Sequence, residues 1–323
     1  MTPVMIGPNV QSSLSAHTSL MRTTDQGCGH HANGLRSPLG IYNISISRIC
    51  DKLTRLCRRL EICFQKSHSL TEHEYNDVKQ EVIDYIELSL YAAAEHVDDI
   101  ESITSGFFKN NVLRDKNSAF KTLQKEVKKN KRLISTAANK IKHEQSRIRI
   151  FSTEFSLGSD KGFLHGYFFE GVVNGEVGPH RLIHDKQNVF SITTLVWEII
   201  VFLVKSSEAL SLFLQEVGHQ IAGPMKIEST QFMSAVVAAA RLPLYTFGEE
   251  HPFNRTPLSL IFSEDQRGLI ESNLYGTMQN DWQVKTDPVW GAAGGAYEGD
   301  GVTTTFKLFW PETVAFIKWR PTQ

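Results

Sequence analysis

The chain has 323 residues, a formal net charge of −1, and 41% hydrophobic against 21% charged residues. That is ordinary globular composition, long enough for two domains or for one domain with a large insertion, and it excludes a chain too small or too polar to bury a sizeable core. The near-zero charge hides an asymmetry, because residues 1–150 carry 22 basic and 16 acidic side chains while residues 151–323 carry 12 and 19. Such a split suits an anionic partner for the first half, or docking of the two halves on each other.

Residues 1–39 lack periodicity and are rich in Ser, Thr, Gly and His, which reads as a flexible or loosely packed arm. Cys28, His30 and His31 have no second Cys/His cluster near them, so no metal is expected. Cys50, Cys57 and Cys63 fall within a helical pattern and form no disulfide framework. With no secretory signal ahead of them, a reducing cytoplasm is the expected compartment.

Residues 40–217 read as a helical bundle. Ile46, Ile49, Leu53, Leu56, Leu60 and Phe64 recur at three- and four-residue steps, with Arg48, Lys52, Arg55, Arg58 and Arg59 on a solvated face. Thr71-Glu72-His73-Glu74 is a capping box opening a second helix that runs to about Val97. The acidic group Glu95, Asp98, Asp99 and Glu101 reads as a solvated turn, and Gly106 begins a break. A third helix is expected from near Lys116 to about Gln145, with a break possible near Asn130. Unbroken, its 30 residues would span roughly 45 Å.

The period then shifts to alternation. Arg147 to Phe155 and Phe163 to Val173 read as two strands, with Asn174-Gly175 as a further turn, so a β-hairpin at about 147–175 interrupts the bundle. The most apolar run, Val189 to Val204, is about 16 residues long and contains Glu198. A bilayer span needs roughly 20, so a buried fourth helix from about Ile192 to Leu214 is expected, and no membrane partner.

Residues 218–323 read as a small α/β or β-rich region. Ser229 to Leu242 is an Ala-rich helix, and Leu258–Phe262, Gln283–Lys285, Thr303–Phe309 and Val314–Trp319 are short strands. Gly291 to Gly301 is a glycine-rich loop without the spacing of a phosphate-binding loop. Trp282, Trp290, Phe306, Phe309, Trp310 and Trp319 would form the core of this region. The fold class is therefore α+β and mainly helical, with a four-helix-bundle-like core.

Chemistry concentrates in one place. From Phe107 to Arg149 there are 13 Lys or Arg against 3 Asp or Glu. Asn139 and His143 sit in that field four residues apart, on one helix face. Metal-free RNA cleavage needs a base for the 2′-hydroxyl proton and a cation for the charge on phosphorus. Histidine suits the first task, and Lys140, Lys142, Arg147 or Arg132 the second. The plainer reading of His143 is a helix C-terminal residue favoured by the macrodipole. His165, His180 and His184 (with Asp185), Glu249-Glu250-His251 and Glu264-Asp265 read as strand and loop residues, and no serine-hydrolase, zinc-protease or kinase motif is present.

A helical bundle whose penultimate helix ends in Asn139-x-x-x-His143 resembles the HEPN superfamily, over residues 40–215 at most. Many members are ribonucleases of bacterial toxin–antitoxin, abortive-infection and other antiviral systems. The resemblance implies a homodimer, no cofactor, and His143 as base or acid positioned by Asn139, with Lys140 and Lys142 on phosphate. The family's motif arginine falls on Ala138, where the match fails. Loss of that group would cost about 2–4 kcal/mol of transition-state stabilisation, by analogy with an oxyanion donor. Two roles follow: an RNA-acting protein of a defence system, or a non-catalytic dimeric scaffold whose basic helix docks an acidic protein partner.

Overall fold

The longest apolar run of the sequence forms the helix around which others gather. A computed structural model describes residues 14–24, 28–66, 69–144, 146–157, 160–173, 176–184, 190–218 and 230–242, with strand segments 259–261, 270–272, 292–299 and 302–309. In chain order the elements are α1 (Ser15–Arg22), α2 (Pro38–Lys66), α3 (Glu72–Ser105), α4 (Asn111–Lys116), α5 (Ser118–Asn130) and α6 (Arg132–Glu144). There follow β1 (Ile148–Leu157), β2 (Asp160–Val173), β3 (Glu176–Pro179), β4 (Phe190–Ser191), α7 (Ile192–Val217) and α8 (Thr230–Ala240). Two hairpins complete the described chain, β5 (Ser259–Ile261) with β6 (Ile270–Ser272), and β7 (Ala292–Gly299) with β8 (Val302–Phe309). The fold is α+β and mainly helical, as its sequence predicts.

Ser191 starts α7 by accepting the Thr194 N–H on its hydroxyl (3.4 Å). Leu195, Ile199, Ile200, Leu203, Leu210 and Leu214 are all buried. A helix apolar over most of its circumference must be covered over most of it, and each such side chain contributes about 1.5–3 kcal/mol by leaving water. On one flank Phe213 meets Phe107, Phe108 and Phe120 at ring separations of 6.0, 6.2 and 6.5 Å.

α2 and α3 form an antiparallel pair, with Ile49, Leu53, Leu56 and Leu60 buried from one and Val82, Ile86 and Leu90 from the other. The capping box closes α3 reciprocally, with Glu74 N–H donating to Thr71 Oγ1 (3.3 Å) and Thr71 N–H to Glu74 Oε2 (2.9 Å). α3 continues to Ser105, so Glu95, Asp98, Asp99 and Glu101 lie on a helix rather than in a turn. Glu95 and Asp99 pair with Arg48 of α2, while Glu101 pairs with Arg114 of α4, and those pairings are invisible along the chain.

The expected third helix is divided. Asn117, in an extended conformation, accepts the Phe120 N–H (3.0 Å) and starts α5 afresh, which separates α4 from it. Lys131 ends α5, and α6 begins one residue later, close to the break expected at Asn130. The hairpin forms with β1 and β2 antiparallel, Ile148 opposite Phe169 and Leu157 opposite Asp160. β3 and the two-residue β4 extend it into a small sheet on β2. Residues His165 to Glu170 of β2 are all buried.

Two expectations are corrected. The flexible arm assigned to residues 1–39 contains α1, whose Ala16 and Leu20 are buried with Leu14. Ala16 N–H donates to Ser207 Oγ (2.9 Å), and the Ser19 and Ser211 hydroxyls lie 2.7 Å apart. Eight residues are too few to show a period in sequence, and the partners of these hydroxyls lie nearly 200 positions away. The glycine-rich loop at 291–301 is the other case, because Ala292–Gly299 is a strand paired with β8. Strand pairing uses backbone groups that glycine supplies as well as any residue. Asn174-Gly175, Gln283–Lys285 and Val314–Trp319 lie outside the described residues, as do Trp282, Trp290, Trp310 and the acidic groups near His251 and Asp265.

After α1 the chain closes the end of α3. The His30 Nε2 lies 2.7 Å from the Ile103 carbonyl, Gly29 N–H donates to the Gly106 carbonyl (2.7 Å), and the His30 ring meets Phe107 edge-on. This satisfies carbonyls that a helix C-terminus leaves open. A Cβ on Gly106 would overlap the His30 ring. Gly106→Ala is therefore expected to destabilise the fold by about 1–3 kcal/mol. In urea unfolding, the His30→Ala, Gly106→Ala double variant should be less destabilised than the sum of the single variants.

Inside the bundle, His96 is fully buried, with Ser45 Oγ 2.8 Å from Nδ1 and Ser206 Oγ 3.4 Å from Nε2. Burial, with Arg48 nearby, lowers its pKa to about 3, and burial lowers that of His165 to about 4. Both rings are neutral in the folded chain, whereas the unfolded chain binds their protons below about pH 6.5. Stability is thus full above that pH and is lost as pH falls toward 4, by about 1.4 kcal/mol per pH unit for each ring. Urea midpoints measured from pH 7.5 to 4.5 should begin to fall near pH 6.5, above the carboxylate range.

Candidate nucleic-acid interface

The chain carries two basic helix faces, and their neighbours treat them differently. On α2, Arg48 bridges Glu95 (2.7 Å) and Asp99 (2.9 Å), and Arg59 meets Glu81 (2.6 Å), all carboxylates of α3. Asp51 neutralises Lys52 (3.0 Å) and Arg55 (2.9 Å) from within α2 itself. The Arg55 contact also holds the Asp51 carboxyl below its ordinary range.

On α5 the apolar side is Ala119, Phe120, Leu123 and Val127, all buried. Burying that side turns Lys121, Lys125, Lys128 and Lys129 outward, and each is exposed. None of the four has an ion-pair partner among the described residues. Lys121, Lys125 and Lys128 stand at i, i+4 and i+7, a ridge about 10 Å long.

The residues singled out by the sequence lie on α6 and just beyond. Leu133, Ile134, Ala137 and Ala138 are its buried side. Asn139 and His143 share the exposed side, and neither has a hydrogen-bond partner among the described residues. Lys140 is held by Glu144 (2.5 Å), whose other oxygen lies 3.7 Å from His180 Nε2. Lys140 keeps the Glu144 carboxyl below its usual range, while burial lowers the pKa of His180. Lys142 sits over the Tyr91 ring at 5.1 Å, a cation–π contact. Arg132 and Arg147 are exposed at either end of α6.

The expected site is therefore only partly assembled. The structure brings Asn139 and His143 to one surface, and it occupies Lys140 elsewhere. General-base catalysis needs a group that orients the imidazole toward the proton it removes, and within one chain none touches His143 among the described residues. The motif-arginine position has a structural explanation, since Ala138 is only 3% exposed and faces the core.

Of the other histidine candidates, His165 and His184 are buried in and beside the sheet, and His251 lies outside the described residues. His184 is buried and accepts the Phe169 N–H on Nε2 (2.9 Å). Among the described residues no group of His, Cys, Asp or Glu has the arrangement of a metal site. Asp185 lies outside the described residues. Cys50 and Cys63 are pushed up to about 12 and about 11 by burial, so their thiols stay protonated. No helix among the described residues is long and apolar enough to cross a membrane.

Two features escaped the sequence reading. One is the α5 ridge as a set distinct from α6, for which the signal was the spacing of its lysines against Phe120, Leu123 and Val127. The other is a groove between α1, α2 and α8, which no local pattern announces. Comparison of the chain with family models, curated proteins and solved structures finds no match. Placing an arginine at this position by Ala138→Arg should destabilise the fold by about 3 kcal/mol or more, through burial of an unpaired charge. His143→Ala and Asn139→Ala, both on the surface, should stay within about 0.5 kcal/mol of wild type in the same thermal unfolding assay.

Proposed function

We propose that this chain is a HEPN-like RNA-binding protein of a bacterial defence or toxin–antitoxin system. It holds the RNA phosphate backbone on α5 and the adjoining face of α6, and it does not cut by itself. The observation that carries the reading is the ridge of Lys121, Lys125 and Lys128. Its charges have no carboxylate partner among the described residues, while Arg48, Lys52, Arg55 and Arg59 of α2 are paired with carboxylates. Exposed and unneutralised cations release counterions from a polyanion, which drives backbone binding without sequence selection. Arg132, Lys142 and Arg147 add exposed cationic residues along α6 and up to the start of β1. The HEPN assignment itself rests on the resemblance of Asn139-x-x-x-His143.

A second reading is favoured by one observation, the shared exposed face of Asn139 and His143. In a homodimer two such faces would meet, and each would gain the polar neighbours that a single chain withholds. His143 would then act as base or acid in a metal-independent endoribonuclease.

One pair of experiments separates these readings. Binding of a single-stranded RNA oligonucleotide should weaken as salt rises, and Lys121→Gln, Lys125→Gln, Lys128→Gln together should flatten the slope of log K against log salt by about 2. His143→Ala should leave binding intact. Total RNA and tRNA incubated with purified protein in EDTA should remain whole. Cutting by wild type that vanishes with His143→Ala would establish the nuclease instead, and a salt slope unchanged by the lysine substitutions would remove the ridge from either reading.

A further inference from the structure

The groove bounded by α1, α2 and α8 has a volume of 1090 Å³ and runs along α2. Four cations of α2 line it, Arg48, Lys52, Arg55 and Arg58, with Asp51 the one carboxylate among the lining residues. Glu95 and Asp99 of α3 hold Arg48, but Lys52 and Arg55 share Asp51 between them. Arg58 is exposed and has no ion-pair partner among the described residues. Compensation of α2 is therefore incomplete here, where Lys52, Arg55 and Arg58 stand against Asp51 alone.

The rest of the lining is polar where it is open. Of its apolar side chains, Leu14, Tyr42, Ile46 and Cys50 are buried, and Ile44 is exposed. Ser47 and Thr54 of α2 form one wall, and Gln231 and Ser234 of α8 the other. The salt bridge from Arg241 to Glu61 fixes α8 alongside α2 and sets this register. The Thr54 and Ser234 hydroxyls donate to the carbonyls of Cys50 (2.7 Å) and Thr230 (2.8 Å), which leaves their oxygens to accept from a ligand. Between Ser47 and Arg58 the helix rises about 16 Å. That is the length of about five residues of extended chain.

We infer that this groove binds an extended acidic peptide of a partner protein. Its carboxylates lie on Arg58 and on the Lys52 and Arg55 pair, and its backbone runs between the walls of hydroxyl and amide groups. Clustered arginines are the chemistry that recognises acidic motifs, and a guanidinium takes a carboxylate through two parallel hydrogen bonds. An extended chain brings an N–H and a C=O at every residue, each in need of a partner. Ser47, Thr54, Gln231 and Ser234 supply such partners. An amphipathic helix would need an apolar floor instead, and Ile44 by itself does not make one. The inference does not depend on RNA binding, because none of Lys121, Lys125 and Lys128 lines the groove.

The test is fluorescence anisotropy of labelled hexaglutamate titrated with the full chain, with labelled hexaglutamine as the uncharged control. Hexaglutamate should bind saturably at one site and hexaglutamine should not. Arg58→Gln should weaken binding about tenfold while leaving the melting temperature of the free protein unchanged. Ser234→Phe, which fills the groove, should abolish it, and the triple substitution of Lys121, Lys125 and Lys128 by Gln should leave it intact. Salt-dependent RNA binding should persist in both groove variants, so the failure of either reading is seen separately. Absence of hexaglutamate binding at millimolar protein overturns the inference, and so does binding that both groove substitutions leave intact. Loss of peptide binding in the triple lysine variant, or displacement of the peptide by RNA, would place the acidic ligand on the α5 ridge or make the groove an RNA site, and either result overturns it as well.

Discussion

Burial of α7 is the constraint on which the rest of the structure depends. This 26-residue helix buries sixteen of its residues and gives water only a narrow stripe through Glu208, Leu212, Gln215 and Glu216. Its neighbours must therefore supply apolar surface around most of its circumference, and they do so from distant parts of the chain. α1 covers it through Leu14, Ala16 and Leu20, α5 through Phe120 and Leu123, and the loop after α3 through Phe107 and Phe108. Where α7 carries serines, partners had to be found inside the protein. Ser207 accepts from the Tyr42 hydroxyl (3.0 Å) and from the Ala16 amide, and Ser206 reaches His96. These bonds add little net stability each, about 1 kcal/mol, yet an unmade one would cost more. They fix which parts of α1, α2 and α3 may lie against α7, because a shifted register would strand buried hydroxyls.

That same packing sorts the charge. α2 and α3 are held face to face by their apolar stripes, which brings Glu81, Glu95 and Asp99 to the cations of α2. α5 packs its apolar side on α7, so its lysines face away from that helix and have no ion-pair partner among the described residues. The positive half of the molecule is therefore not uniformly positive. One basic face is compensated and serves the helix pair, and the other stays available to a polyanion. Exposed ion pairs of the first kind are worth up to about 1 kcal/mol each. Their larger consequence is to decide where an anion is drawn.

The expected catalytic pair shows how far a motif reaches. Asn139 and His143 are four residues apart, and a helix turns that spacing into a shared face without help from the rest of the fold. Lys140 sits between them in sequence, yet its ammonium is taken by Glu144, and His180 approaches the same carboxylate from the sheet. A basic stretch is read from sequence as a sum of charges. Its chemistry depends on which of those charges are already spent.

The sequence by itself determined the helical character of α2, α3, α7 and α8, the capping box at Thr71, the β1–β2 hairpin and the exposed pairing of Asn139 with His143. Each of these rests on contacts within a few residues, through periodicity, capping or a turn. Tertiary structure alone decided that residues 14–24 and 28–34 are docked rather than loose, that Glu95 and Asp99 of α3 neutralise Arg48 of α2, that Ala138 faces the core, and that a groove opens beside Arg58. Those outcomes depend on side chains brought together across 47 to 191 positions, and no local pattern carries their pairing. Hydrophobic burial sets the meeting of the helices, and the polar partners are whatever that meeting places within reach.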